Sequence, residues 1–526
     1  MSCYRAIRFA NLVALTGNAW APLGCYPAPG FPFMKNKRAL FYCSSLLLSM
    51  QWCSTAPKQH AAVQLPPAAI AVAVPIAAAV PLAPLIRALL DSAASSGLLA
   101  ERETRAFYGT SCEPAWTTPG DSLSPNTAEA LAALARAPEH GLSPTYYGEA
   151  RLLLLRDSLL LKSPPTGPAR ARQQARFDVG LTDAMLRYLR DLDRGRLHPY
   201  TASVREKAAG PAGQPAVGLR AALAGHGIAA AILAAEPANR EYRQLQRALA
   251  AWLAQPVPPD SAAIHRAQYE LAAINLERWR WEAVVPAAEY IWINIPAFEL
   301  QVVERDSAHR PHRVVVGAPA TPTPTLSGTI RYFTLAPDWH VPRSIATKEM
   351  LPRLQRDATY LARNNYALYN DRGQALNPAG INWAAVTAKS FAYTIRQSAG
   401  CENALGNIVF RFANPYSVYV HDTPLRQLFA RPGRALSHGC IRLESPFRLA
   451  AYLLRREGRP VLLPSEAECA RQARPHDVRL ARPVPLYVRY ATCTAENGRL
   501  RFFADVYHRD ETVRRALFGP KALVQK

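Results

Sequence analysis

The spacing of apolar residues changes once along the chain, near Tyr290, and this change limits the choice of folds. Between residues 85 and 282 apolar side chains recur every three or four positions. In "LTDAMLRYLRDL", residues 181–192, they form one face of a helix. After Tyr290 the segments are rich in Ile, Val, Tyr, Phe and Trp and are bounded by Gly or Pro, which is typical of β-strands. We therefore predict an α+β protein with a helical N-terminal scaffold domain, residues 85–282, and a mainly β domain, residues 283–465.

A long insertion divides the predicted strands. Its first half has a helical pattern, and the rest is typical of loops. Insertions of this length in a β-rich domain often cover a binding site. We expect residues 340–404 to form a cap, and residues 466–526 to form a C-terminal extension that packs on the scaffold or on the β domain. The predicted strands are "YIWINIPAFELQVVE", "HRVVVGAP", "GTIRYFTLAP", "GNIVFRFA", "YSVYVHD" and "RPVLLPS".

Residues 1–56 are predicted to be a leader. From Met34 to Ala56 a basic start, an uncharged stretch and small residues follow one another, as in a secretory signal peptide. The natural start would then be Met34; a lipidated Cys53 or an uncleaved anchor is the alternative. Residues 57–84 are predicted to be a Pro/Ala linker. We expect export to the periplasm, with membrane contact only through this N-terminus.

The chain carries a large excess of positive charge. It has 62 Lys and Arg against 39 Asp and Glu, a formal net charge of +23, which favours acidic partners. The basic residues are spread along the chain and match no RNA-recognition, zinc-finger or homeodomain pattern. We therefore do not expect nucleic acid as a partner, whereas an acidic cell-wall polymer would experience the same attraction.

One short segment, "ALSHGCIRLESP" at 435–446, concentrates chemically active residue types. Alternation along "YSVYVHD" brings His421 to the end of a strand, and a return of the chain after it would bring Cys440 within reach of the imidazole. Arg442 would favour the thiolate. Gly439 can adopt a positive φ, so the N–H groups of His438, Gly439 and Cys440 would form an oxyanion hole. Ser445 and Pro446 are predicted to open a helix.

Three other interpretations of Cys440 stay open: a small buried hydrophobic residue, a zinc ligand with His421 and His438, or half of a disulfide. The H-x-C spacing disfavours zinc. Five cysteines follow the leader, so at least one stays unpaired in an oxidising compartment, and we expect that one to be Cys440. The other four, whose pairing the sequence leaves open, are Cys112, Cys401, Cys469 and Cys493.

These motifs resemble the signature of the L,D-transpeptidase (YkuD) family of peptidoglycan enzymes, in which S-H-G-C, an apolar residue and Arg follow a histidine at about this distance. The resemblance covers the chain from about residue 85 to the end. Within the family, the chain is similar to the long Gram-negative, YcbB-like branch. Further segments that carry it are "NIPAFEL", "VVVGAPATPTPTLSG", "WHVPRSIATKEMLPRL" and "NALGNIVFRFANPYSVYVHDTP".

The resemblance implies a role for each residue of the segment. Cys440 would be the nucleophile and His421 the proton donor and acceptor, with the backbone carbonyl of Asp422 orienting the imidazole. His438 and Gly439 would contribute to the oxyanion hole, and Arg442 would support the site. The residues expected to bind substrate are Tyr419, Ser437 and Trp339.

The reaction that the resemblance implies is acyl transfer on peptidoglycan stem peptides. The thiolate attacks the carbonyl of the third stem residue, D-Ala leaves, and an amine resolves the thioester to form a 3→3 cross-link. No metal or organic cofactor is expected, carbapenems would acylate the same cysteine, and other cell-wall synthesis enzymes are candidate partners. The alternatives are a carboxypeptidase or cross-link hydrolase, protein anchoring to peptidoglycan, and a non-catalytic wall-binding scaffold.

The chain departs from that branch in one large feature. Members usually carry a small peptidoglycan-binding module between scaffold and catalytic domain, whereas residues 253–281 here lead almost directly from one to the other. We therefore expect this module to be missing. Cys401 is a smaller departure, at a position where a proline-like loop residue would be expected.

Overall fold

The computed structural model describes residues 80–92, 97–118, 122–161, 167–197, 215–282, 287–305, 307–400, 402–471 and 474–519. From Ile76 onward the chain forms one compact unit. Within it, a helical region precedes a β-rich region, which confirms the predicted α+β class. The predicted leader, most of the predicted linker and Cys401 lie outside the described residues.

The helical region contains nine α-helices in its described part. They are α1 Leu82–Asp91, α2 Glu101–Tyr108, α3 Pro125–Ala135, α4 Glu149–Leu159, α5 Gly167–Arg194, α6 Pro215–Ala221, α7 Ile228–Ala235, α8 Arg240–Leu253 and α9 Ala262–Trp281. The short 3-10 helices are Ala137–His140, Pro144–Tyr147 and Pro259–Ser261, a π-helix spans Ala222–His226, and a small hairpin joins β1 Thr117–Thr118 to β2 Ser122–Leu123. Helix α1 thus begins inside the last residues of the predicted linker.

Helix α5 is the centre of the helical region, because most of its side chains between Ala171 and Leu192 are buried. Its buried carboxylate, Asp178, accepts hydrogen bonds from the Tyr108 hydroxyl (2.6 Å) and the Trp116 amide (2.9 Å). A buried charge costs little stability only when it is bonded in this way. The long helix is therefore fixed to the loop that follows α2.

The β-rich region is a nine-stranded sheet in the order β13-β5-β14-β12-β11-β6-β15-β3-β4. Strand β4 pairs also with β5, so the sheet closes on itself as a barrel. The strands are β3 Glu289–Asn294, β4 Glu299–Glu304, β5 Ser307–Gly317, β6 Leu326–Leu335, β11 Ile408–Arg411, β12 Val420–His421, β13 Ala435–Ser437, β14 Ile441–Leu443 and β15 His476–Arg489.

One face of this sheet forms the apolar core. Val420, Phe410 and Phe333 lie side by side on neighbouring strands and are fully buried. Helix α13, Pro446–Arg455, packs its leucines against the same cluster. Successive side chains of a strand alternate between its two faces, so the intervening residues point to the opposite face, outside this core.

Strand β15 lies between β6 and β3, although the sequence predicted the β domain to end at residue 465. The predicted strand at residues 459–465 has no ladder pairing, and Leu462 within it is 87% exposed. The pairing of β15 with β6, about 150 residues earlier, and with β3, about 195 residues earlier, is not encoded in any local pattern. The C-terminal segment is thus part of the barrel itself.

The insertion forms a small separate sheet with its own apolar cluster, which includes Leu361, Phe391 and Ile395. Its strands pair in the order β7-β10-β8-β9, so the half predicted as loop contains three strands. Its elements are β7 Trp339–His340, α10 Arg343–Ile345, a π-helix Ala346–Met350, α11 Leu351–Leu354, α12 Tyr360–Arg363, β8 Tyr366–Tyr369, β9 Ala375–Leu376 and β10 Thr394–Gln397, with 3-10 helices Pro378–Gly380 and Trp383–Ala385.

The C-terminal residues also contact the helical region. Arg278 on α9 bonds to Asp510 (2.5 Å), and Asn275 bonds to Thr492 (2.9 Å). The remaining elements are the 3-10 helix Arg426–Ala430, α14 Glu466–Arg471, β16 Cys493–Glu496, β17 Arg499–Phe502 and α15 Asp510–Phe518. Across the described ranges, no helix is long and apolar enough to cross a membrane.

Candidate active site

The site lies on the sheet face opposite the core. Parallel pairing of β12 with β14 sets Val420 beside Ile441 and His421 beside Arg442. Because Val420 and Ile441 point into the core, the residues before and after them point away from it. The side chains that share this outer face are Tyr419, His421, Cys440 and Arg442.

Tyr419 connects the thiol to the insertion. Its side chain hydrogen-bonds to Cys440 and to the Trp339 indole, and its ring packs edge-on against His421 with 5.6 Å between centroids. Burial raises the pKa of Tyr419, so the hydroxyl keeps its proton at neutral pH and can donate to sulfur. Two residues expected to bind substrate, Tyr419 and Trp339, are therefore in contact, and Tyr419 in turn reaches the thiol.

Opposing effects act on the pKa of the Cys440 thiol. Burial raises its pKa above the ordinary value, while hydrogen bonds from Tyr419 and the charge of Arg442 lower it, and the net shift is upward. Arg442 therefore acts in the expected direction but does not outweigh burial. The thiol also lies 3.9 Å from the Ser417 carbonyl oxygen. In the free protein the sulfur is thus protonated at neutral pH.

His421 is buried and neutral. Burial, followed by the charge of Arg442, lowers the pKa of the imidazole to about 3. Its Nδ1–H donates to the Asp422 carbonyl oxygen at 2.5 Å, which is the contact that the family resemblance implied. The backbone of Leu405 makes a further hydrogen bond with the imidazole, which, like the bond to Asp422, raises the pKa. With Nδ1 protonated, Nε2 carries the lone pair of the neutral ring.

The Asp422 side chain holds this part of the strand in place. Its carboxylate accepts the Asn407 amide at 2.9 Å and lies against Gly406. A Cβ on Gly406 would come within 2.4 Å of the carboxylate, and the φ of that residue is +60°. Only glycine fits there without displacing Asp422, so Gly406 helps to fix the carbonyl that orients His421.

The thiol and the imidazole share a face but bond to different partners. In the described part of the chain, Cys440 bonds to Tyr419 and Ser417, and His421 bonds to the backbone of Asp422 and Leu405. Catalytic hydrogen bonds are often loose in a free enzyme and tighten when substrate binds.

The loop before Cys440 has the backbone conformation that its glycine predicted. Gly439 adopts φ +117°. Its N–H, however, donates to the Ser437 hydroxyl at 3.2 Å, and that hydroxyl donates to the Cys440 carbonyl at 2.6 Å. Ser437, expected to bind substrate, therefore stabilises the loop through these two hydrogen bonds. Among the described residues, the N–H groups of His438 and Cys440 have no acceptor.

Residues 317–323 support the same loop; they lie in a segment that carries the family resemblance, but the sequence assigned them no role. The Thr323 hydroxyl donates to the Gly439 carbonyl at 2.8 Å, and the Thr321 hydroxyl donates to the Ser437 carbonyl at 3.0 Å. Tyr507, in the C-terminal segment, accepts the Thr323 amide at 3.1 Å. These contacts span 116 to 184 residues of sequence, and no local pattern signals them.

His438 points toward the insertion rather than toward the other predicted zinc ligands. Its Nε2 lies 2.6 Å from Glu349 Oε1, and both side chains are about half exposed. No group of three His, Cys, Asp or Glu side chains in the described ranges converges as a metal site. The zinc interpretation of His421, His438 and Cys440 therefore has no geometric support.

The remaining cysteines and Ser445 are also placed. Cys112, Cys440, Cys469 and Cys493 are all in the free thiol form. The helix begins at Pro446 as expected, but Ser445 adopts φ +52° and its side chain does not cap the helix. Ser445 is thus the N-cap residue by position, as predicted, but its hydroxyl makes no capping hydrogen bond.

Comparison with known proteins identifies both regions. Residues 288–463 match the YkuD family, described as the L,D-transpeptidase catalytic domain, and residues 102–249 match the family described as the Scaffold domain. The two matches lie in the order that the motifs predicted, the Scaffold domain before the L,D-transpeptidase catalytic domain.

Individual relatives share a third or less of their residues with this chain. A Haemophilus influenzae protein named "Putative L,D-transpeptidase" is 31% identical over 276 residues, which are 52% of this chain and 54% of that protein. The chain thus spans about half the length of this relative. Solved structures with similarity include an L,D-transpeptidase from Mycobacterium smegmatis (16% identity, TM-score 0.20, covering 39% of this chain and 59% of that chain) and L,D-transpeptidase 1 from Mycobacterium tuberculosis (16%, 0.16, 38% and 61%).

Proposed function

We propose that this protein is a peptidoglycan L,D-transpeptidase with Cys440 as its nucleophile. The observation that carries the proposal is the shared outer face of Tyr419, His421, Cys440 and Arg442, within residues that match the catalytic-domain family. Nucleophilic catalysis by cysteine needs a thiol, a base and a group that stabilises the thiolate, and this face supplies all three.

The first half-reaction begins with proton transfer. Nε2 of His421 accepts the Cys440 proton, while the Asp422 carbonyl fixes the other ring nitrogen. The Tyr419 hydroxyl and the Arg442 charge stabilise the thiolate. The sulfur attacks the carbonyl of the third stem residue, the C–N bond breaks, and D-Ala leaves with the proton returned by His421.

Two amides are available for the oxyanion. Among the residues that the structure describes, the N–H groups of His438 and Cys440 have no acceptor, whereas that of Gly439 is bonded to Ser437. Two preorganised donors are enough for an oxyanion hole, and removing one such donor typically slows a reaction by about 100- to 1,000-fold. We therefore assign the hole to His438 and Cys440, with Gly439 supplying the backbone turn.

In the second half-reaction an amine of a neighbouring stem attacks the thioester, and a 3→3 cross-link forms. His421 removes the amine proton, and Cys440 leaves as thiolate. We infer that residues 85–282 act as the scaffold and residues 340–404 as the substrate cap, because Trp339 and Glu349 reach Tyr419 and His438. The proposed peptidoglycan substrate supports an extracytoplasmic location, and we infer that this location is the periplasm.

Product analysis tests the proposal. The purified full chain is incubated with a disaccharide-tetrapeptide, and the products are resolved by mass spectrometry. A 3→3 dimer supports the proposal. Loss of D-Ala alone, or cleavage of supplied dimers, would make the protein a hydrolase, and neither product together with no carbapenem adduct would make it non-catalytic. Cys440→Ala should abolish product, whereas Cys112→Ala, a buried thiol of the scaffold, should not.

A further inference from the structure

The face that carries Cys440 continues into a groove that no comparison assigns. Strand β11 lies beside β12, and β6 lies beside β11. On one side of β11, Arg411 pairs with Tyr332 of β6. On the other side, Phe410 pairs with Val420 of β12, so that Arg411, the next residue, lies beside Tyr419. The Arg411 guanidinium lies 5.8 Å from the centre of the Tyr419 ring. The row of side chains therefore runs from the thiol through Tyr419 to Arg411.

This groove has a volume of about 640 Å³ and borders the thiol's own contacts. Tyr419 and Ser417, which both contact Cys440, line one end of it. Arg331, Tyr332 and Arg411 line the part farther along the sheet. A substrate that has its reacting carbonyl at the sulfur therefore has room to extend over these side chains.

The groove has positive charge that the protein does not neutralise. In the described part of the chain, neither Arg331 nor Arg411 has a carboxylate within 4 Å. A third guanidinium without a carboxylate partner among the described residues, that of Arg396, stacks on Tyr369 and lies on the insertion directly across from His340. The charges of Arg396 and Arg411 both lower the pKa of His340, after burial, while Asp338 opposes them. Positive charge thus surrounds this end of the groove from both the sheet and the cap.

Unpaired guanidinium groups in a concave site favour planar anions. An arginine binds a carboxylate through two parallel N–H···O bonds, and such bonds are about twice as strong as neutral ones. The neighbouring Tyr332 offers an additional hydroxyl donor to the same anion. A carboxylate is therefore the ligand chemistry that fits this part of the groove.

We propose that Arg411, assisted by Arg331, binds a carboxylate of the peptide substrate and so determines which peptides are accepted. The inference rests on the proposed function, since it places the substrate's reacting carbonyl at Cys440. Two substrate carboxylates have this chemistry: the C-terminal carboxylate of the acyl donor and the carboxylate beside the attacking amine of the acceptor. The same arginines cannot hold both at once, so a comparison of substrates identifies the one that is bound.

Matched substrates test the proposal on the full chain. The free-acid donor is compared with its C-terminal amide, and an amino-acid acceptor is compared with its amide, each with the wild type and Arg411→Gln. The variant should lower kcat/KM by about 10- to 100-fold for the free-acid form of one partner and leave the amide of that partner nearly unchanged. The partner that shows this difference is the one whose carboxylate is bound.

Controls separate charge recognition from other losses. Arg411→Lys keeps the charge but not the paired N–H groups, so it should recover only part of the activity. Arg331→Gln, an exposed position, should act in the same direction, whereas Arg102→Gln on the scaffold removes one charge without effect. Equal losses on acid and amide forms of both partners, or no loss at all, would refute the carboxylate site.

Binding measured without turnover keeps this inference distinct from the proposed function. In a Cys440→Ala background, calorimetric affinity for the disaccharide-tetrapeptide should fall about 10-fold or more when Arg411→Gln is added. If the wild type forms no product but this affinity difference is present, the proposed function fails and the carboxylate site stands. If product forms but acid and amide peptides bind with equal affinity, both to Cys440→Ala and to Cys440→Ala with Arg411→Gln added, the carboxylate site is rejected.

Discussion

Thr323 donates its hydroxyl to the carbonyl of Gly439 at 2.8 Å, and through this bond a loop 116 residues earlier holds the segment before the thiol. The same hydroxyl accepts the Gly317 amide at 2.8 Å. The oxygen therefore fixes both sides of a tight contact between two loops. Thr323 touches no reacting atom, so it is a positioning residue.

Replacing Thr323 tests that role. Thr323→Val leaves a buried carbonyl and a buried amide unpaired, which costs about 1–3 kcal/mol of stability. We expect kcat to fall by about 10- to 100-fold, because a displaced loop misaligns the oxyanion donors, while KM changes little. Thr323→Ser keeps the hydroxyl and should restore kcat, and equal kinetics for Val and Ser variants would show that the bond does not position the loop.

The pKa of the Cys440 thiol in the substrate-free protein is predicted to lie above that of an ordinary thiol. Because burial raises its pKa, the alkylation rate of the free protein should rise only above the ordinary thiol range. Arg442→Gln removes a charge that lowers this pKa, so the pH midpoint should move further upward. Iodoacetamide labelling of Cys440, followed by mass spectrometry from pH 6 to 10, measures both. A midpoint well below the ordinary value, or a downward shift in the variant, would contradict the account.

His312 is predicted to destabilise the barrel in acid. Burial lowers its pKa to about 4 from an ordinary value of 6.5, and its Nδ1 bonds to the Glu444 carbonyl at 2.8 Å. Between these two pH values the unfolded chain binds a proton that the folded chain does not, so the unfolding free energy decreases as pH falls. The decrease is about 1.4 kcal/mol per pH unit below 6.5, or about 2 kcal/mol at pH 5.

Urea unfolding at pH 7 and pH 5 measures this contribution. His312→Gln cannot take up the proton, so its loss of stability between the two pH values should be about 2 kcal/mol smaller than in the wild type. His421, with a pKa also lowered by burial, contributes in the same direction in both proteins. Identical pH dependence in the wild type and the variant would mean that His312 does not titrate as stated.

The contact of Glu349 with His438 is predicted to restrain the cap more than it stabilises the fold. Both side chains are about half exposed, and pairs of this kind contribute about 0–1 kcal/mol. Glu349→Gln should therefore leave the melting temperature within about 2 °C of the wild type. Hydrogen exchange of residues 343–354 should become faster, whereas exchange in barrel strands should not. Unchanged exchange in that segment would show that the contact does not hold the cap.

The sequence predicted what local patterns can encode. The change of apolar spacing near Tyr290 separated helices from strands, and alternation in β12 placed His421 on the face that Cys440 shares. Gly439 was expected to permit a positive φ, and it adopts one. These features depend on one segment or on two neighbouring segments, so periodicity and residue type are sufficient to predict them.

The features that were missed depend on distant segments. Strand β15 completes the barrel from beyond the predicted boundary, and Tyr507 supports Thr323 from the same C-terminal segment. The bond from Gly439 to Ser437 removes one expected oxyanion donor, and it depends on a side-chain rotamer that composition does not specify. Arg411 was also missed, because only the register of three strands brings it beside Tyr419.

Trapping the acyl-enzyme tests the central claim most directly. The full chain is mixed with tetrapeptide donor in the absence of acceptor and quenched in acid, and the intact protein and its peptides are analysed by mass spectrometry. We predict an acyl group in thioester linkage on the peptide that contains Cys440, absent from Cys440→Ser and present in Cys112→Ala. Release of D-Ala at an undiminished rate by Cys440→Ala, or an acyl group on any other residue, would contradict the account.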